Sequence, residues 1–263
     1  MKKPLFILSL FLVTIGFASC DMEPDTPNQP TSYEIPRLLE DRPEQIINHF
    51  AYTVSYNPEW LIPNWVAYCL TKEEQEGDNE TKGTFKPDPL VNGYQVMTDD
   101  YKGSGYHRGH MAAAADMKWS KQAIRESYYM TNICPQTPSL NNGCWLNLER
   151  QVRTWVKEYD SIFIACGPVV RDGHETICDE HPIAVPRAFF KVLLVQTRKH
   201  EWRGIGFIMY NEKNIESQPL LSYAMSVDDV ERITGIDFFY TLPDSIEEYV
   251  EKSFIRHFWF PGQ

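Results

Sequence analysis

Four stretches of the chain are dense in β-branched and aromatic residues and therefore predict strands. They are residues 64–71, 161–167, 183–197 and 205–211. Pro186 falls inside the third stretch, and its missing amide hydrogen should bend that strand or place it at a sheet edge. The spacing of the four stretches predicts several strands separated by helices and long connections.

A helical period replaces this pattern after residue 142. Apolar residues then recur every three or four positions, which predicts an amphipathic helix over 143–159; they are Trp145, Leu148, Val152, Trp155, Val156 and Tyr159. Ser120 and Ser226 each precede a shorter helical pattern and have the side chain of an N-cap. Gly235 should end the second of these helices.

A last helix is predicted over residues 243–254. Its apolar residues, Ile246, Tyr249, Val250 and Phe254, should face inward. No repeat period and no second linker interrupt residues 44–263, so we predict one domain there. Strands and helices together indicate an α+β fold, a central antiparallel sheet flanked by helices.

The first 19 residues have the pattern of a secretory signal. Two lysines follow Met1, and the apolar run to Phe17 is shorter than the roughly 20 residues of a membrane span. Phe17-Ala-Ser-Cys20 resembles a bacterial lipobox, which would make Cys20 a lipidated residue anchored in a membrane. Cleavage after Ala18 by the ordinary route is the alternative. Either route predicts export from a bacterial cell: an outer-membrane or cell-surface lipoprotein by the first, a periplasmic or secreted protein by the second.

Residues 20–43 are polar and rich in proline, and we expect them to form a tether. Such a segment buries too little apolar surface to offset the entropy of ordering. If extended at about 3.1 Å per residue, residues 21–36 alone would hold the domain roughly 50 Å from a membrane. A disordered tail without a spacing role is the alternative.

Charge does not by itself suggest a nucleic-acid partner. The chain has 25 Lys and Arg against 36 Asp and Glu, a net charge of −11, whereas nucleic-acid binders usually carry a basic surface. The acidic residues are concentrated in residues 73–80 and 244–251. Basic residues gather in residues 118–125 and 150–157, which are either a binding surface or a solvated helical face.

Six cysteines are present, at positions 20, 69, 134, 144, 166 and 178. Lipidation of Cys20 would leave five, so at least one thiol would be free or would pair between molecules. Cys166 with Cys178, and Cys134 with Cys144, are candidate disulfides, and the sequence does not decide between pairing and free thiols. No Cys-x-x-Cys pair and no Cys/His spacing typical of zinc sites is recognised, and we expect no thiolate zinc site.

Two linked motifs carry the candidate chemistry. The first is His107-Arg108-Gly109-His110, and the second begins at Asn141, continues through Gly143 and Trp145, and ends at Glu149. In this order and spacing they resemble the DNA/RNA non-specific endonucleases that have a ββα-metal site. Similarity to that family extends over nearly everything after residue 45. It implies the α+β fold with a ββα-metal motif, a hydrolase acting on DNA and RNA, and 5′-phosphate products; the family includes dimers, so oligomeric state is left open.

His110 is the candidate general base, because a neutral imidazole accepts a proton near neutral pH. Asn141 is the candidate metal ligand. Glu149 lies eight residues further on, about 12 Å along a helix axis, so we expect it to hold the metal through water. Few protein ligands and several waters suit Mg²⁺, with Mn²⁺ as a substitute. Asp116 and Trp145 are interpreted as structural.

Arg108 is the candidate phosphate clamp, because its planar guanidinium matches two phosphate oxygens; a structural ion pair is the alternative. Lys82 and Lys86 are further candidates for binding the substrate phosphate, standing near the place where the family often has an arginine. His107 stands where the family has aspartate. These departures motivate a second hypothesis, a catalytically weak or inactive lipoprotein that binds nucleic acid or a protein partner.

Overall fold

The computed structural model describes residues 32–214 and 216–262. The predicted signal peptide, Cys20 and most of the predicted tether lie outside these residues. The described part of the chain contains eleven strands: β1 (Gln45–Asn48), β2 (Thr53–Asn57), β3 (Ile62–Thr71), β4 (His107–His110), β5 (Ile133–Gln136), β6 (Ser161–Val169), β7 (Thr176–Ile177), β8 (Ile183–Ala184), β9 (Ala188–Gln196), β10 (Trp202–Tyr210) and β11 (Ala224–Met225).

Seven α-helices accompany these strands in the described residues: α1 (Lys72–Gln75), α2 (Lys121–Ser127), α3 (Pro138–Asn141), α4 (Cys144–Trp155), α5 (Val227–Thr234), α6 (Asp244–Lys252) and α7 (Arg256–Trp259). Short 3₁₀ helices cover Thr98–Tyr101, Ala114–Asp116, Met130–Asn132 and Leu220–Tyr223. Ser120 and Ser226 accept hydrogen bonds from the first turns of α2 and α5, as N-caps do. None of these helices is long and apolar enough to cross a bilayer.

Seven strands form one antiparallel sheet in the order β1-β2-β3-β6-β9-β10-β11. β9 is buried along almost its whole length, because both faces of the sheet are covered. On one face, Phe189 and Leu193 belong to a core shared with α4. On the other face, Phe190 and Leu194 pack with residues of α5 and α6. The predicted α+β fold, a central antiparallel sheet flanked by helices, is confirmed.

Several predicted boundaries shift. Pro186 divides the predicted third strand into β8 and β9, and residues on either side pair with different strands. The helix predicted over 143–159 ends at Trp155 and continues only as turns. Tyr249 does not face inward, because its side chain is 56% exposed on α6 while Val250 is buried.

The domain begins earlier than residue 44. Tyr33 packs edge-on against Phe163 and Trp202, with ring centroids 5.2 and 5.0 Å away. Arg37 forms an ion pair with Asp237 at 2.8 Å. Residues 32–43 are therefore part of the folded body and do not form the tether expected there.

The candidate disulfides are wrong, because Cys69, Cys134, Cys144, Cys166 and Cys178 are all free thiols. Cys166 directs its Sγ to the carbonyl oxygen of Met111 at 3.3 Å, inside the core. Cys178 lies at the surface, with its Sγ 3.7 Å from Asp100. The sulfurs of Cys166 and Cys178 thus contact Met111 and Asp100, not each other.

Candidate active site

Two short strands and one helix bring the motif residues together. β4 carries His107 to His110 and pairs antiparallel with β5, which places His110 opposite Ile133. α4 follows β5 after the short helix α3 and a turn. It contacts β4 through Trp145, whose indole N–H donates to the carbonyl oxygen of His110 at 3.2 Å. The buried Trp145 therefore joins the core and also fixes the candidate base.

Two glycines permit the close approaches in this motif. A Cβ on Gly109 would lie 2.1 Å from the side-chain oxygen of Gln136 on the paired strand. A Cβ on Gly143 would lie 2.1 Å from the carbonyl oxygen of Ser139, in the tight turn between α3 and α4. Neither position has room for a side chain, so the motif requires glycine at both.

His110 is held between two aromatic rings. Its imidazole lies 5.3 Å from the ring of Phe85 and 4.8 Å, edge-on, from the ring of Tyr128. Burial lowers the pKa of His110 from 6.5 to about 4, because desolvation penalises the charged imidazolium. The ring is therefore neutral at physiological pH. Its Nε2 is buried and has no hydrogen-bond partner in the described structure.

The backbone just after His110 is fixed by buried polar groups. Lys191, on β9, is almost fully buried; its Nζ lies 3.5 Å from the carbonyl oxygen of Met111 and 4.8 Å above the ring of Trp145. Asn132 accepts from the amide of Ala112 at 2.8 Å. Lys191 was not predicted from the sequence. A lone lysine within an apolar strand could have indicated it, because a buried lysine needs buried acceptors.

A cleft of about 620 Å³ opens in front of these groups. Arg108 lines it with its guanidinium carbon 4.5 Å from the centroid of the Phe85 ring. None of the ion pairs among the described residues involves Arg108, so the structural ion pair considered above is absent. Because the guanidinium stacks on Phe85 and forms no ion pair, its N–H donors remain available to an anion in the cleft.

Asn141 and His107 contact each other across the same cleft. The side-chain nitrogen of Asn141 lies 3.2 Å from Nδ1 of His107. In the tautomer of His107 that leaves Nδ1 without a proton, the amide donates to this nitrogen and its oxygen is left free. Asn141 ends the short helix α3 and does not belong to α4, because the turn at Gly143 separates the two helices.

Glu149 lies in a smaller cavity of about 250 Å³ that His110 and Asn141 also line. Burial and the nearby Asp116 carboxylate raise the pKa of Glu149 to about 7, although Lys191 and Arg153 oppose the shift. Near neutral pH a bound cation would therefore favour its ionised form.

Asp116 has the structural role expected from the sequence. It accepts from the hydroxyl of Tyr68 and from Arg153, each at 2.7 Å. This pair ties the 3₁₀ helix at Ala114–Asp116 to α4 and so supports the wall that carries Glu149.

The groups in this small cavity fit a hard divalent cation. The amide oxygen of Asn141 and the carboxylate of Glu149 are oxygen ligands, the type that Mg²⁺ selects, and no thiolate lines the cavity. The donors are few, which agrees with an ion that retains most of its water.

The structure does not bring Lys82 and Lys86 into the cleft with Arg108. They line a separate groove of about 570 Å³ together with Lys121 and Arg125 of α2. Phe85 separates the two spaces: its ring faces the cleft, and the side chains on either side of it face the groove. The lysines are therefore displaced from the site predicted for the scissile phosphate.

Comparison with known proteins identifies the family. A sequence profile described as DNA/RNA non-specific endonuclease matches residues 34–245. The chain belongs to the DNA/RNA non-specific endonuclease family. It is 31% identical to bovine mitochondrial endonuclease G over 224 residues, which cover 81% of this chain and 73% of the relative. It is 33% identical to mouse mitochondrial nuclease EXOG over 202 residues, 72% of this chain and 55% of that protein.

A solved structure agrees with this assignment. The chain is similar to one in a crystal structure of the EndoG/EndoGI complex, with a TM-score of 0.73, 28% identity, and coverage of 80% of this chain and 90% of that one. Membership makes the protein a metal-dependent hydrolytic nuclease of the DNA/RNA-cleaving class. The β4–β5–α4 unit is its ββα motif.

Proposed function

We propose that the protein is an exported endonuclease that cleaves DNA and RNA with one Mg²⁺ and uses His110 as its general base. The observation that carries the proposal is the imidazole of His110, which is neutral, packed between Phe85 and Tyr128, and without a hydrogen-bond partner at Nε2 among the described residues. Nε2 takes the proton of the attacking water as the water oxygen bonds to phosphorus. The bond from phosphorus to the 3′ oxygen breaks and the leaving oxygen takes a proton from solvent, which yields 5′-phosphate and 3′-hydroxyl ends.

Arg108 binds two non-bridging oxygens of the scissile phosphate. An anionic phosphate beside His110 also raises the affinity of the imidazole for a proton, which offsets the low pKa of the empty site. Asn141 would hold Mg²⁺ directly through its amide oxygen, and Glu149 through water. When bound, the cation supplies Lewis-acid stabilisation of the charge on the phosphate.

Export is proposed from the first 20 residues, with Cys20 as a lipid-anchored residue. The apolar run before Cys20 and the polar residues after it support this location. Cys20→Ala should move the protein from the membrane fraction to the soluble fraction of a bacterial host. An unchanged distribution would favour ordinary cleavage after Ala18 or another route.

Plasmid nicking tests the catalytic proposal. We expect cleavage with Mg²⁺ or Mn²⁺ and none with EDTA. His110→Ala should lower kcat by about 10²–10⁴-fold, the usual cost of removing a general base. His174→Ala, at a half-buried histidine outside the cleft, is the matched control. Retention of more than about a tenth of wild-type turnover by His110→Ala would overturn the assignment.

The metal assignment has its own test. Asn141→Ala should abolish cleavage at any Mg²⁺ concentration, whereas Glu149→Ala should be rescued by excess metal, because ligands that act through water change affinity by about 10–100-fold. An inactive wild type with intact DNA binding would instead support the binding-module hypothesis.

A further inference from the structure

Three metal-ligating side chains meet behind one wall of the cleft. Asp100 lies in the 3₁₀ helix Thr98–Tyr101, Cys178 follows β7, and His181 precedes β8. One ligand atom from each lies within 4.8 Å of the others, and all three residues are half-buried. Cys178 and His181 are separated by only two residues, so the loop between β7 and β8 brings both side chains to one place, although the expectation from the sequence was that no thiolate zinc site exists.

The distances in this cluster match a tetrahedral zinc site. Oδ1 of Asp100 lies 3.6 Å from Nδ1 of His181 and 3.7 Å from Sγ of Cys178. Zinc bonds of roughly 2.0 Å to oxygen and nitrogen and 2.3 Å to sulfur, at tetrahedral angles, place such ligand atoms about 3.3–3.5 Å apart. The two distances from Asp100 therefore exceed the tetrahedral values by only a few tenths of an ångström, and the cysteine and histidine atoms lie within 4.8 Å of each other.

Neighbouring groups hold the ligands in this orientation. The other carboxylate oxygen of Asp100 accepts from the hydroxyl of Tyr94 at 2.8 Å and from the amide of Met97 at 2.7 Å. These two donors leave Oδ1 facing the cysteine and the histidine. The ring of Tyr94 also stacks on the imidazole of His181, with centroids 3.6 Å apart. Outer partners of this kind fix ligand orientation in metal sites.

One ligand atom of the cluster has no hydrogen-bond partner among the described residues. Nδ1 of His181 is buried and has no hydrogen-bond partner within the described structure. Its distance of 3.6 Å from Asp100 exceeds that of a hydrogen bond. A buried ring nitrogen with no partner is costly, and a cation between the three ligand atoms would satisfy it.

We propose that Asp100, Cys178 and His181 bind one Zn²⁺, with water in the fourth position. Cysteine and histidine together favour Zn²⁺ over Mg²⁺, which selects oxygen ligands. The thiol loses its proton to solvent as the sulfur coordinates the ion. The zinc joins the loop between β7 and β8 to a helix whose other residues, Thr98, Asp99 and Tyr101, line the cleft. This site is separate from the Asn141–Glu149 site and supports the cleft wall.

Zinc content tests the proposal directly. Untagged protein carrying Asn141→Ala, which removes the catalytic metal site, is saturated with Zn²⁺, dialysed, and analysed by mass spectrometry for metals. We expect one zinc per chain. Adding Cys178→Ser or His181→Ala should remove at least nine-tenths of it, whereas the matched controls Cys69→Ser and His200→Ala should keep it. Equal zinc in all variants would overturn the proposal.

A second measurement does not depend on variants that fold. In the Asn141→Ala protein, Zn²⁺ at about a hundredfold excess over its Kd should raise Tm by about 5–10 °C, and Mg²⁺ should not. Co²⁺ should give a thiolate charge-transfer band in the near ultraviolet, a signature that the oxygen ligands of the catalytic site cannot produce. Absence of both the Tm shift and the band would reject the site while leaving the nuclease assignment intact.

Discussion

Asn141 can present only one end of its amide to a cation, and His107 determines which end that is. The contact of 3.2 Å between the amide nitrogen and Nδ1 of His107 directs the amide oxygen away from His107. The sequence comparison implied that aspartate at position 107 could orient its neighbours as an anion. A histidine whose Nδ1 carries no proton can do the same by accepting one hydrogen bond. We therefore propose that histidine substitutes for aspartate at this position.

This contact predicts the behaviour of variants at position 107. His107→Asp retains an acceptor for the Asn141 amide and should leave the Mg²⁺ requirement nearly unchanged. His107→Phe keeps a ring but loses the acceptor, so it should raise the Mg²⁺ concentration for half-maximal rate by about 10–100-fold. The measurement is a Mg²⁺ titration of initial rates at fixed salt, with His174→Phe as the control. Identical titrations for His107→Phe and wild type would contradict this role.

Among elements, the segment containing Phe85 organises the substrate surface. The amide of Lys86 donates to the carbonyl oxygen of Tyr128, and its own carbonyl oxygen accepts from Met130, so the segment is fixed between the cleft and the basic groove. Arg108 is on one side, and Lys121 and Arg125 are on the other. This arrangement suits a strand whose scissile phosphate enters the cleft while a neighbouring phosphate lies in the groove.

The groove predicts a specific effect on salt dependence. Lys82→Ala with Lys121→Ala should reduce the slope of log kcat/KM against log salt concentration by about 1–2. The variant neutralises fewer phosphates, so fewer counterions leave the substrate when it binds. kcat itself should stay unchanged. Lys252→Ala, on the opposite face of the sheet, is the control for net charge. Equal slopes for the double variant and the control would remove the groove from the substrate path.

The elements also show what the sequence could predict. The strands, the capped helices and the two motifs follow from periodicity and local chemistry, because each signal lies within a few residues. Phe85, Lys191 and the Asp100–Cys178–His181 cluster were missed, because they depend on contacts between distant segments. Asn141 lies ahead of α4, as the predicted helix over 143–159 implies, but the short helix α3 that carries it was not predicted.

At the scale of the whole molecule, some of the excess acidic residues are buried carboxyl groups with a raised pKa. Glu251, on α6, is almost fully buried beside Glu231 and Asp228 of α5. Burial, and then the charge of Glu231, raise the pKa of Glu251 to about 9; burial raises that of Glu231 to about 7. The folded protein therefore retains protons that the unfolded chain releases near pH 4.5.

This linkage sets the direction of pH-dependent stability. The stabilisation from these groups is fully present below about pH 4.5 and is lost as pH rises through 7 to 9. Tm in EDTA should therefore fall between pH 6 and pH 8. Glu251→Gln should weaken that fall, and the exposed Glu248→Gln should not. An equal fall in all three proteins would show that general charge repulsion is responsible.

The free thiols have a consequence for how the chain can be produced. No disulfide joins any of the described residues, so folding of this part requires neither an oxidant nor an isomerase. Burial raises the pKa of the Cys69 thiol to about 12, which keeps that sulfur protonated and slow to react. The same domain can therefore mature in a reducing cytoplasm or in an oxidising compartment, and its fold does not record which of the two it came from.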